Sequence, residues 1–184
     1  MNYRLTTILL AVALLFILGV STIQAAPKET VQPAPQAVAP AGNYDFTNFG
    51  TAWVPEVLGQ YNWWHQRGWG TQAKPKTTGG KWVHIPIPFT SQLGGSSMYV
   101  NYVEFCAQST NGAAGTGPNH MDIYAGTSVL VHSNISWWTD NAYHCYGLYP
   151  GDVWVESLGI SLSLNFANAT DMITLSKAWA RVHP

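Results

Sequence analysis

A chain of 184 residues with a net charge of −1 and only 9% charged residues has little to offer a polyanion. Arg67, Lys74, Lys76, Lys81, Lys177 and Arg181 are scattered and form no basic stripe, so nucleic acid is not an expected partner. Aromatics make up 13% and include nine Trp, so solubility falls to Ser, Thr, Asn and Gln.

The chain opens on Met1-Asn2-Tyr3-Arg4, a short positive start. Ile8 to Val20 then carries no polar side chain, and Ser21 to Ala26 is small and polar. That order is the layout of a secretory signal, expected over 1–25 with cleavage after Ala25 or Ala26. An uncleaved anchor is the rival reading, and the only route to a membrane. The apolar run is shorter than the ~20 residues a spanning helix needs, which favours cleavage. Residues 26–42 hold Pro27, Pro33, Pro35 and Pro40 among Ala, Gln and Val. Proline fixes φ and removes donors, so this stretch reads as a semi-extended linker. One folded domain is expected over 43–184, secreted or in the cell envelope.

Within that domain the helical period is absent and strand signals are frequent. Ala52 to Val57 and Tyr61 to Gln66 are weak strand candidates. Lys81 to Ile87 is stronger, although Pro86 and Pro88 confine its end to a sheet edge or an exit. Met98 to Ala107 is rich in Tyr, Val and Phe, with Tyr99, Val103 and Phe105 on one face. Asn111 to Pro118 reads as a Gly-rich loop. Met121 to Tyr124 and Ser128 to His132 form a hairpin across Ala125-Gly126-Thr127. Leu158, Ile160, Leu162, Leu164 and Phe166 alternate with Gly159, Ser161, Ser163 and Asn165, which predicts one buried and one wet face. Asn165 to Asp171 is turn-like, and Met172 to Val182 closes the fold with Ile173, Leu175 and Trp179 inward. Many short strands separated by turn signals predict an all-β, antiparallel, jelly-roll-like β-sandwich.

Cys106 and Cys145 are the two cysteines. In an oxidising compartment they are expected to join; two buried free thiols are the alternative.

Arg67-Gly68-Trp69-Gly70-Thr71, Trp82-Val83-His84-Ile85-Pro86-Ile87-Pro88 and Leu158-Gly159-Ile160-Ser161, in that order and rough spacing, resemble an uncharacterised family of bacterial β-sandwich domains. The resemblance runs from about Thr51 to the C-terminus. It departs at Tyr124-Ala125-Gly126, where the family's turn carries an acid, and at Phe89-Thr90, where Thr-Pro is expected. It implies the fold and carries no mechanism.

Catalytic patterns are missing or incomplete. Gly126-Thr127-Ser128 and Gly159-Ile160-Ser161 each hold half of a Gly-x-Ser-x-Gly elbow, and Ser161 lies mid-strand as an outward polar residue. His144 and Cys145 are adjacent on a strand and point to opposite faces, so they do not form a Cys–His pair. His120 and Asp122 share a strand face with His132 opposite across the hairpin. That trio could hold zinc, but separate surface groups are the commoner outcome, so neither metal nor other cofactor is expected. Asp45, Glu56, Glu104, Asp122, Asp140, Asp152, Glu156 and Asp171 offer no recognisable acid–base pair.

The aromatics are the distinctive feature. Trp69, Trp82, Trp154 and Trp179 are expected in the core. Trp63-Trp64 and Trp137-Trp138 are paired, so one indole of each pair faces out and forms a flat platform for a sugar ring. Asp140, Asn141 and Tyr143 follow the second pair and could bond hydroxyls. The resulting expectation is a non-enzymatic binding module for a glycan or cell-surface polymer. A surface-assembly domain and a hydrolase with an unrecognised site are the alternatives. The hydrolase reading requires Glu104, Asp122 and His132 to converge.

Overall fold

The computed structural model describes residues 42–184; the expected signal segment and all but the end of the expected linker lie outside the described residues. The first strands in chain order are β1 (Tyr44–Asn48), β2 (Val54–Pro55), β3 (Tyr61–Arg67), β4 (Gly70–Pro75) and β5 (Gly79–Ile87). A small pair follows, β6 (Gln92–Leu93) and β7 (Ser96–Ser97), then the long β8 (Tyr99–Ser109). β9 (Gly117–Ala125), β10 (Ser128–Asn134), β11 (Tyr143–Leu148), β12 (Val153–Trp154), β13 (Leu158–Phe166) and β14 (Ile173–His183) complete the chain.

The fold is an antiparallel β-sandwich. One sheet runs β11-β8-β14-β4-β3, with β1 pairing to β14 and β12 to β8. The other runs β10-β9-β13-β5-β2. The two inner faces share one core. Val83, Ile85, Ile160, Leu162 and Leu164 come from the second sheet, and Val103, Phe105, Ile173, Leu175 and Ala180 from the first. Trp53, fully buried beside β2, donates its Nε1–H to the Ser176 carbonyl at 2.9 Å.

Alternation places most strands as the sequence predicts. β13 keeps its apolar set inward over its whole length. The hairpin between β9 and β10 closes on Gly126 and Thr127, with Ala125 opposite Ser128. β2 pairs with β5 only at Val83 and His84, so β5 lies near the sheet edge, and Pro86 sits beyond that pairing as predicted, its carbonyl accepting from the Asn48 side-chain amide at 2.7 Å. Cys106 and Cys145 face each other across β8 and β11 and are joined as a disulfide.

Several expectations fail, each for a geometric reason. β14 carries a bulge between Leu175 and Ala178 where it pairs with β8. An extra residue flips the parity of everything beyond it. Ala178, Ala180 and Val182 therefore point inward, and Trp179 lies half-buried on the outer face. A second irregularity, opposite Arg181 and Val182, does the same to β8. Val100 is buried and Tyr99 is exposed. Trp82 sits between inward Lys81 and Val83 and so faces outward, half-covered. Trp154 belongs to a two-residue edge strand and is 43% exposed. Trp69, in the turn between β3 and β4, is 59% exposed. The wet face of β13 is also drier than expected, with Ser161 and Ser163 covered by larger neighbours on β5 and β9.

Candidate functional site

The outer face of the first sheet carries a row of polar side chains in register. Tyr143 on β11 is opposite Gln108 on β8, Gln108 is opposite Thr174 on β14, Thr174 is opposite Gln72 on β4, and Gln72 is opposite His65 on β3. Their partners one residue away, Ala107, Leu175 and Ala73, are buried in the core. Period-two alternation thus turns the whole row to the outer face, with Tyr143, Gln108 and His65 exposed and Thr174 buried among its neighbours.

Above this row lies a cleft of about 320 Å³. Trp69, Gln72, Gln108, Asn141 and Thr174 line it, together with Ser109, Thr110 and Met172. None of these side chains is ionisable. The exposed indole of Trp69 stands on the turn between β3 and β4. Asn141 approaches from the segment leading into β11, and two contacts hold it. Its carbonyl accepts the Gln108 Nε2–H at 2.9 Å, and its Oδ1 accepts the Gly112 N–H at 3.1 Å. Gly112 is needed there, because a Cβ would lie 2.4 Å from the Asp140 carbonyl oxygen.

The residues expected to bind are distributed unevenly around this cleft. Asn141 lines it. Tyr143, 49% exposed, heads the polar row, and its phenol meets the Ser176 hydroxyl. Burial, and then the Glu104 carboxylate, push that phenol above its ordinary pKa. Trp63 is exposed on the same face and stacks on His65, the last member of the row, with centroids 4.0 Å apart. Trp64 turns inward against Tyr61. The strand alternation expected of the first Trp pair therefore holds.

The second pair lies in no strand, and the two rings part for another reason. Trp137 packs on Phe105 and fills the space over Gly117. Trp138 stacks on His144 with centroids 4.2 Å apart and planes 7° apart. Asp140 is spent locally: it accepts from His144 Nε2 at 2.5 Å and from the Ala142 N–H at 3.1 Å. Those bonds hold its carboxyl below the usual range. Trp137, Trp138 and Asp140 thus lie outside the cleft lining. Gln72, Gln108, Thr174 and Trp69 line it and were not among the expected binding residues. The signal for Trp69 was its setting in Gly68-Trp69-Gly70, a large ring at a hairpin tip.

The three groups whose convergence would favour a hydrolase do not come together: Asp122 and His132 meet, and Glu104 lies apart. Glu104 sits on β8 in the first sheet, while Asp122 and His132 sit in the second. Glu104 accepts from Tyr102 Oη at 2.8 Å and Trp179 Nε1 at 2.7 Å. Burial first, and then this bond, push the Tyr102 phenol up to about 12. Among the described residues no second carboxylate joins that cluster. Ser161 shares a bond with His84 Nδ1 at 2.7 Å beside a second cleft of about 360 Å³. That cleft is lined mainly by aliphatic, proline and backbone surface, with no exposed indole.

No family model matches the chain, and no curated protein matches it. Solved structures of similar shape exist. A carbohydrate-binding module of family CBM36, solved with calcium and xylotriose, aligns at 10% identity and TM-score 0.42 over 72% of this chain and 96% of its own. A low-affinity xylan-binding module, CBM86, from Roseburia intestinalis aligns at 14% and 0.44 over 74% and 94%. An adhesin domain of Lys-gingipain from Porphyromonas gingivalis aligns at 8% and 0.45 over 76% and 99%. Likeness at this level transfers neither a ligand nor a site to this chain.

Proposed function

We propose that this protein is a non-enzymatic binding module for a neutral glycan, held in the cleft on the outer face of the first sheet. One observation carries the reading: an exposed indole stands beside convergent amide and hydroxyl groups in a lining that has no ionisable side chain. An apolar face with a few placed polar groups is how small ligands are oriented. A sugar ring presents that combination in mirror image, with C–H groups on its faces and hydroxyls at its rim. Gln and Asn amides both donate and accept, as hydroxyls do, so they can pair with either sense. A charged ligand would find no counter-ion in the cleft and would lose its hydration without return.

The reading places the protein outside the cytoplasm, which the disulfide and the order of the N-terminal residues support. Its test is retention on a panel of neutral and anionic polysaccharides in native gels, at low and high salt. Retardation by one or more neutral polymers, unchanged by salt, is expected. Retardation only by anionic polymers and only at low salt would overturn it, as would no retardation at all.

A further inference from the structure

We propose that His120, Asp122 and His132 form a site for one divalent transition cation of the zinc class, on the outer face of the second sheet. The site is separate from the glycan cleft and does not depend on it. β9 presents His120 and Asp122 two residues apart on one face. β10 pairs so that His132 is opposite Asp122 and Asn134 is opposite His120. Three donor atoms converge there: His120 Nε2 lies 3.0 Å from Asp122 Oδ1, His132 Nδ1 lies 2.6 Å from the same oxygen, and the two nitrogens are 2.9 Å apart.

With both imidazoles neutral, hydrogen bonding does not satisfy this triangle. His120 Nδ1 is 3.0 Å from Asn134 Oδ1, and an amide oxygen only accepts, so that nitrogen carries the ring proton. In the neutral ring Nε2 is then a bare lone pair. It points at a carboxylate oxygen and at a second imidazole nitrogen. One proton on His132 Nδ1 serves one edge of the triangle and leaves a lone pair facing a carboxylate across another. A cation at the centre turns all three into attractions.

The surroundings fit a metal site. Asn134 gives His120 the outer partner that fixes a metal-binding tautomer. Asp122 is 6% exposed and His120 half-buried, while His132 is exposed, so two ligands are preset and the third can close from solvent. Two imidazoles and a carboxylate select zinc-class ions over calcium, which takes oxygen ligands. Ligands about 2.0–2.1 Å from zinc in a tetrahedron lie about 3.3 Å apart, so the edges of the triangle need open by roughly 0.3–0.7 Å, most at the exposed His132. Three protein ligands leave one position for water or for an outside oxygen or nitrogen.

The experiment is calorimetric titration of the untagged full chain, stripped with chelator, with zinc chloride and separately with calcium chloride. One zinc per chain is expected, tighter than about 10 μM as a working threshold for a three-ligand site. At least tenfold weakening is expected in His132→Ala, whose exposed side chain can be removed without disturbing the fold. The same loss is expected in Asp122→Asn, with circular dichroism showing both variants folded. Cobalt in place of zinc should give visible absorption that both substitutions abolish. Zinc binding weaker than about 10 μM would overturn the proposal, as would equal calcium affinity. Zinc binding unchanged in His132→Ala would also overturn it, since the ion would then sit on other histidines.

Discussion

Replacing Trp69 by Ala separates binding from folding. The indole is 59% exposed and lies outside the core cluster, so the change should alter stability by no more than about 0.5 kcal/mol. Binding should suffer more. A sugar ring laid on the free face of an indole removes roughly 80 Å² of apolar surface from water, worth ~2 kcal/mol at ~25 cal/mol per Å². Since ~1.4 kcal/mol is a factor of ten, the dissociation constant should rise about 30-fold. Affinity electrophoresis on the best polysaccharide of the panel reads this directly, and thermal unfolding supplies the stability control. Trp138→Ala is the matched comparison, because that ring is 37% exposed but stacks on His144 outside the cleft lining. If Trp138→Ala abolishes retardation while Trp69→Ala leaves it intact, the cleft is not the site.

Other expected outcomes concern the frame that holds the cleft. Replacing Cys106 and Cys145 together by Ser opens a loop of sequence separation 39 and should lower unfolding stability by about 4 kcal/mol in the chain-entropy account, read by urea titration with and without reductant. Gly117→Ala would place a Cβ 2.2 Å from Trp137 Cδ1; a loss of about 1–3 kcal/mol is expected, and an unchanged melting temperature would refute the packing described. Asp171 should contribute to acid sensitivity. Burial alone would raise its carboxyl, but hydrogen bonds from Thr116, Asn111 and Asn168 outweigh it and hold the group below the usual carboxylate range. The unfolded carboxyl takes up its proton first, so the contribution is complete above its ordinary value and drains away as pH falls through the lower folded value. Asp171→Asn should cost about 2 kcal/mol at neutral pH and flatten the acid limb of a stability-against-pH curve; an acid limb as steep as the original would contradict this.

Much of the fold was legible because the sandwich strands obey a period of two. Leu158 to Phe166 shows its inner face in sequence, and the structure places it so; Lys81 to Ile87 is found as a strand, but with Trp82 on its outer face. What escaped was parity after a bulge. Trp179 follows Leu175 by an even number of residues and reads as inward, yet the bulge between Leu175 and Ala178 reverses it. Hydropathy does not reveal this, since an alanine is at home on either face. The site was legible only in its kind. An excess of Trp pointed to stacking, and Asn141, Tyr143 and Trp63 lie in or around the polar row. Gln72, Gln108 and Thr174 are distant in the chain and ordinary in type, and only the pairing of β4, β14 and β8 makes them neighbours.

The bulge in β14 also explains why the outer face of the first sheet divides in two. On its N-terminal side the strand offers Thr174 to a row of amides and hydroxyls. On its C-terminal side the reversed parity brings out Trp179 and Arg181, which meet Glu104 and Asp45 respectively. Arg181 also lies over the Trp179 ring, 5.2 Å from its centroid. Glu104, Asp45 and Arg181 thus meet on one side, and no ionisable side chain lines the cleft on the other. With no bulge, residues beyond Leu175 would keep their original phase. Trp179 would enter the core and Ala178 and Ala180 would face solvent, leaving Glu104 with no indole donor. One inserted residue therefore sets a cluster of Glu104, Trp179 and Arg181 apart from a cleft whose lining has no ionisable side chain, on a single sheet.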